Sequence, residues 1–161
     1  NGRITRTLTD LSLAQMDEQS IRLYAMSTAI LNKRKSYYEI LEQTQKNDSD
    51  ITDWLVWFLD TLNDSLEKTL AQISRTLFKS QFWHKYSILA LSEEQRKVLN
   101  RLLDGGENGF EHGISASQYQ KVAKTSKATA TRHLSDLLEK KCIVKLEGGG
   151  RNTRYQINTQ L

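Results

Sequence analysis

The sequence predicts a mainly α-helical protein in which a long helix connects a helical front part to a small C-terminal domain with a β-hairpin. Apolar residues recur at steps of three and four through residues 51–83, which indicates one long amphipathic helix. Residues 142–147 and 154–158 both have the pattern of strands, and the three glycines at 148–150 suit a hairpin tip. A chain of 161 residues has room for two such modules.

Two short helices joined by a tight turn precede the hairpin. The first is predicted at residues 116–124 and the second at residues 127–140. Ser126 is placed to cap the second helix by accepting a hydrogen bond from a free backbone N–H. The apolar stripe of that helix consists of Ala130, Leu134, Leu137 and Leu138. This order of elements is typical of a winged helix-turn-helix domain, to which Ile114 is expected to add a small third strand.

Capping signals place the start of this domain further upstream. Ser92 and Gln95 form a capping box at the start of a helix predicted at residues 93–104, which ends at Gly105. This helix is the first one of the winged domain. The predicted division of the chain is a helical front part at 1–48, the linking helix with its connection at 49–91, and the winged domain at 92–161.

The second helix of the turn carries a polar and basic face opposite its apolar stripe. In winged domains this helix enters the major groove of DNA while the hairpin touches phosphate. Residues 121–161 hold nine Lys and Arg against three Asp and Glu, whereas residues 1–120 hold fourteen against sixteen. Positive charge gathered in one module is typical of a phosphate-binding surface. The predicted contacts with duplex DNA are Lys127, Thr129, Thr131 and Arg132 on the helix and Arg151 and Arg154 on the hairpin.

The residues leave two other functions open. Winged helices also serve as protein-binding or dimerisation modules, because a fold does not determine its function. In the second interpretation the chain is a free-standing transcriptional regulator, whose helical front end dimerises and whose winged domain binds an operator. In the third interpretation it is a helical interaction module without nucleic acid, in which the basic charge only keeps the domain soluble.

Two arginines near the start of the chain suggest an anion site. Arg3 and Arg6 are three positions apart, so on a helix they project side by side and can hold one polyanion together. The run Asn1-Gly2-Arg3-Ile4-Thr5-Arg6 resembles the end of the Fic-family signature, His-Pro-Phe-x-x-Gly-Asn-Gly-Arg-x-x-Arg. Residues 33–41, residues 50–54 and the hairpin run Gly-Gly-Gly-Arg-x-Thr-Arg-Tyr resemble, in the same order, the C-terminal part of bacterial Fic proteins.

This resemblance implies a parent enzyme that transfers AMP from ATP to a hydroxyl group of a target protein. In the family, the signature's His is the general base and its acidic residue holds Mg²⁺. Asn1 and Gly2 would then lie beside the nucleotide phosphates, and Arg3 and Arg6 would neutralise the β/γ charge. The chain has neither that His nor that acidic residue, so we expect a non-catalytic C-terminal fragment that carries no cofactor. Its start at Asn1 without an initiator Met agrees with this expectation.

Composition argues against several other classes of function. No run of about 18 apolar residues exists, so a membrane span is not expected. Cys142 is the only cysteine, so we expect a small core residue and no disulfide framework, as suits the cytoplasm. His84, His112 and His133 are scattered, with no Cys or carboxylate at ligand spacing, so no metal site is expected.

Overall fold

The computed structural model describes residues 4, 7–9, 11–12, 15, 26–46, 50–105, 110, 112–147 and 153–160. This part of the chain is mainly helical with one small antiparallel sheet, which confirms the predicted class. Residues 4, 7–9, 11–12 and 15 are helical. The elements that follow are α1 Met26–Asn32, α2 Arg34–Lys46, α3 Thr52–Lys85, α4 Glu93–Asp104, β1 Ile114–Ser115, α5 Ala116–Ala123, α6 Lys127–Glu139, β2 Ile143–Lys145 and β3 Arg154–Ile157.

The chain divides into two compact units, residues 1–73 and residues 74–161. The division falls within helix α3, and therefore within the segment 49–91 that the sequence assigns to the linker. Helix α3 is continuous from Thr52 to Lys85. The carboxylate of Asp50 accepts a hydrogen bond from the backbone N–H of Thr52 at 2.9 Å and so caps the helix start.

The N-terminal unit is held by contacts between α2 and α3 and by a few buried apolar residues. Trp57 Nε1 donates to Ser36 Oγ at 3.1 Å, and Lys33 forms an ion pair with Asp64. Met26 and Ile30 are the buried residues of α1. Leu31, by contrast, is 65% exposed. The reason is geometric, because successive helical residues point about 100° apart and Ile30 already occupies the inward position.

The C-terminal unit has its own hydrophobic core between three helices and the sheet. Helix α4 is amphipathic, and it buries four apolar side chains while its charged residues remain outside. Tyr119 of α5 is fully buried at the centre. The buried core residues are Phe82, Tyr86, Val98, Leu99, Leu102, Leu103, Ile114, Tyr119, Ala123, Ala130, Leu134, Leu137, Cys142, Ile143 and Ile157. The core role predicted for Cys142 is thus confirmed, although this residue precedes strand β2.

Side-chain caps begin all three helices of this unit. The predicted capping box at Ser92 and Gln95 is present, with both reciprocal hydrogen bonds. Ser115 and Gln118 form a second capping box at the start of α5, which the sequence analysis did not identify although its spacing is the same. Ser126 caps α6 by accepting from the N–H of Thr129, as predicted.

The sheet has the order β1-β3-β2, and both pairings are antiparallel. Strand β3 is central because it pairs with Ile114 on one side and with the β2 strand on the other. Beyond β2, the N–H of Leu146 donates to the carbonyl of Arg154 at 2.9 Å. The regular strands are shorter than the predicted segments 142–147 and 154–158, and the predicted hairpin tip lies outside the described residues.

Candidate nucleic-acid interface

Helix α6 presents opposite faces to the core and to solvent. Ala130, Leu134 and Leu137 are buried. Lys127 is exposed at the first position of α6, and Arg132 is exposed on the side of the helix opposite the core positions. The accessible residues of α6 are therefore these two cations together with Ala128, Thr131, Ser135 and, at the last position, the acidic residue Glu139.

Two of the predicted DNA contacts on α6 use their hydroxyl groups within the helix. The Oγ1 atom of Thr129 lies 3.0 Å from Ser126 Oγ, and Thr129 is half-buried. Thr131 is exposed, and its hydroxyl donates to the carbonyl of Lys127 at 3.1 Å. Among the four predicted DNA contacts on α6, the charged donors of Lys127 and Arg132 are therefore the most available to bind a ligand.

The hairpin contributes one described arginine. Arg154 is exposed at the start of β3, and its Nη1 donates to the carbonyl of Gly113 at 3.0 Å. A guanidinium has five N–H donors, so this bond leaves others for a phosphate. Arg151 lies outside the described residues. The structure thus places Lys127, Thr131, Arg132 and Arg154 at the surface of one unit.

Polar contacts behind α6 fix its position on the other two helices. The hydroxyl of Tyr119 and Nδ1 of His133 are hydrogen-bonded at 3.0 Å, which joins α5 to α6. Asp136 accepts from Lys140 at 2.7 Å and from Gln95 of α4 at 2.7 Å. The hydrogen bond from Lys140 is the largest effect that lowers the pKa of Asp136, and the one from Gln95 lowers it further. Burial raises the pKa of Tyr119. The carboxylate therefore stays charged and the phenol neutral at neutral pH.

The structure also brings together cations that the sequence analysis did not identify as a site. Helices α4 and α5 border an open groove of about 670 Å³. We call it the α4–α5 groove, and its lining residues are Glu93, Arg96, Lys97, Asn100, Arg101, Asp104, Lys121, Val122 and Lys124. No local signal identifies such a site, because its cations come from two helices that are adjacent only in the folded unit.

The nucleotide-binding residues implied by the N-terminal motif lie outside the described part of the chain. These are Asn1, Gly2, Arg3 and Arg6. Among the described residues, no group of three His, Cys, Asp or Glu side chains is arranged to hold a metal ion. Burial raises the pKa of the Cys142 thiol to about 11, so at neutral pH this cysteine is a protonated core residue.

Comparison with models of known protein families and with curated proteins gives no match for this chain. Within the residues that the structure describes, no helix combines the length and the apolar character needed to cross a membrane.

Proposed function

We propose that the C-terminal unit is a winged helix-turn-helix module that binds duplex DNA, with α6 in the major groove and the β2–β3 hairpin against phosphate. The observation that carries this proposal is the exposure of Lys127 at the start of α6 and of Arg132 on its solvent side, while Ala130, Leu134 and Leu137 are buried in the core. A helix held in this way can enter a groove without exposing apolar side chains. The exposed Arg154 on the neighbouring sheet supports the role of the hairpin.

The distribution of charge supports DNA over a neutral partner. Residues 121–161 carry nine cationic and three acidic side chains, whereas the remainder of the chain has a slight acidic excess. Binding of cations to phosphates releases condensed counterions, so affinity should fall steeply as salt is raised. The expected contacts to phosphate position the module, and Arg132 is the side chain best suited to read a base edge.

Duplex titrations at two salt concentrations test this proposal. Lys127→Gln combined with Arg132→Gln should weaken binding and reduce the slope of log affinity against log salt by about 2, because each phosphate contact contributes about 0.9. The control combines Lys35→Gln with Lys68→Gln, which removes the same charge from two exposed lysines of the N-terminal unit. Absence of duplex binding by the wild-type protein at about 50 mM salt would refute the proposal.

A second proposal rests on the run from Asn1 to Arg6, which matches the end of the Fic signature. In this proposal the chain is the C-terminal part of an AMP-transferring enzyme, and the winged module binds DNA or positions the protein target. The fragment itself is inactive, since the signature's His and acidic residue are not in its sequence. The coding sequence directly upstream of Asn1 decides the matter: His-Pro-Phe-x-(Asp/Glu)-Gly supports the proposal, and any other sequence ends it.

A further inference from the structure

We infer that the α4–α5 groove is a second contact with the DNA backbone, used at the same time as α6, so that the duplex is held at two places on one unit. This inference rests on the proposed DNA binding and adds a site that lies outside the recognition helix and the hairpin.

The charges of the groove are strongly unbalanced. Five of its nine lining residues are Lys or Arg, and two are acidic. One of the two acids, Asp104, already forms an ion pair with Lys79. Among the described residues, none of the five groove cations has a carboxylate partner within ion-pair distance. Unpaired cations that face each other across a groove repel one another, and an anion between them removes this repulsion.

The arrangement of the cations suits an extended polyanion. Lys97 and Arg101 are both exposed and lie about 6 Å apart along the axis of α4, which is close to two steps of about 3.4 Å along one DNA strand. Across the groove, Lys121 and Lys124 lie three positions apart at the end of α5. The groove can therefore meet phosphates two steps apart on one strand, with cations on both sides.

The groove is poorly suited to a free nucleotide. None of the described residues that line it is aromatic, so the lining offers no ring on which a base could stack. The guanidinium of Arg96 lies over the nearby ring of Trp83, 5.8 Å from the ring centroid. The Nε1 atom of Trp83 donates a hydrogen bond to Asn100 at 3.0 Å. This indole therefore holds the wall of the groove in place.

Position in the chain favours DNA over an acidic protein segment. Lys124 ends α5 in a left-handed conformation, with φ of 53°, and Ser126 then caps α6. Lys124 is thus three residues before Lys127, the first residue of the proposed recognition helix. The basic surface continues from the groove to the start of α6, and one strand of a duplex can follow it.

The test uses Lys97→Gln with Arg101→Gln in the full chain, and compares it with the control Lys35→Gln with Lys68→Gln. Both pairs remove two charges from exposed helical side chains, and Gln is a good helix former. For each protein, the measured quantity is the factor by which DNA affinity falls between about 50 and 200 mM salt. Because the groove variant lacks two phosphate contacts, this factor should be roughly twelvefold smaller for it than for the control.

Each outcome separates this inference from the proposed function. If the wild-type protein binds no duplex, the proposed function fails and the inference fails with it. If the wild-type protein binds and the groove variant has the same salt slope as the control, the groove contact is wrong while DNA binding by α6 stands. If the groove variant loses binding to poly-glutamate or to ATP but keeps the control's slope for DNA, the ligand is not the DNA backbone and the inference is overturned.

Discussion

Gly113 offers the sharpest test of how the sheet is packed. Its φ is +75°, and a Cβ atom at this position would lie 2.7 Å from the carbonyl oxygen of Tyr155. Tyr155 is in the central strand β3 and pairs with Ile114, so its carbonyl cannot retreat without moving the strand. The carbonyl of Gly113 also accepts the hydrogen bond from Arg154. The substitution Gly113→Ala therefore has two effects, because it strains the backbone at this residue and also displaces strand β3.

The expected loss in the free energy of unfolding is about 2–6 kcal/mol. A residue other than glycine at positive φ costs about 1–3 kcal/mol. Ordinary contact begins near 3.4 Å, so the Tyr155 carbonyl must move by about 0.7 Å. This movement weakens the pairing of β1 with β3 and the bond from Arg154, and each hydrogen bond contributes about 0.5–1.5 kcal/mol.

Gly105→Ala is the matched control. Gly105 also has a positive φ, of +53°, but among the described residues its Cβ would meet only the flexible side chain of Arg75, with Cδ at 3.4 Å and Nη1 at 3.8 Å. The free energy of unfolding of this variant should therefore fall only by the cost of a residue other than glycine at positive φ, about 1–3 kcal/mol. Urea unfolding followed by circular dichroism measures both changes. If the two variants lose the same stability within about 0.5 kcal/mol, the close approach of Gly113 to β3 does not contribute to the loss and the reasoning is wrong.

Two further predictions concern buried side chains of the C-terminal unit. Burial raises the pKa of Cys142 from 9.0 to about 11. Because the folded pKa is the higher one, its contribution to stability is complete below pH 9 and is lost as pH rises towards 11, by about 1–3 kcal/mol. Cys142→Ala should be less stable at neutral pH but should lack this alkaline loss in urea unfolding, and an equal loss in both proteins would contradict the assignment. Tyr119→Phe removes the bond to His133 and should cost about 1 kcal/mol, whereas Tyr38→Phe at an exposed site should cost under about 0.5 kcal/mol. Equal effects on the thermal midpoints of the two variants would exclude a role for that hydrogen bond.

Much of the candidate interface could be anticipated, but its details could not. The pattern of α6 predicted the burial of Ala130, Leu134 and Leu137, whereas Leu138 of the same predicted stripe is half-buried. The hydrogen bond between the hydroxyls of Thr129 and Ser126 could not be predicted from the sequence, because a threonine at this position can bond either to Ser126 or to a ligand.

The sequence by itself determined the features that depend on near neighbours. Helix starts at Ser92 and Ser126 follow from hydrogen bonds between residues three apart, and the buried stripes of α4 and α6 follow from the helical repeat. Only the tertiary structure decided which distant residues meet. The contact of Arg154 with Gly113 joins positions 41 apart, and the α4–α5 groove gathers cations from two separate helices. Such contacts depend on how the elements pack around a shared core, and spacing along the chain carries no information about that packing.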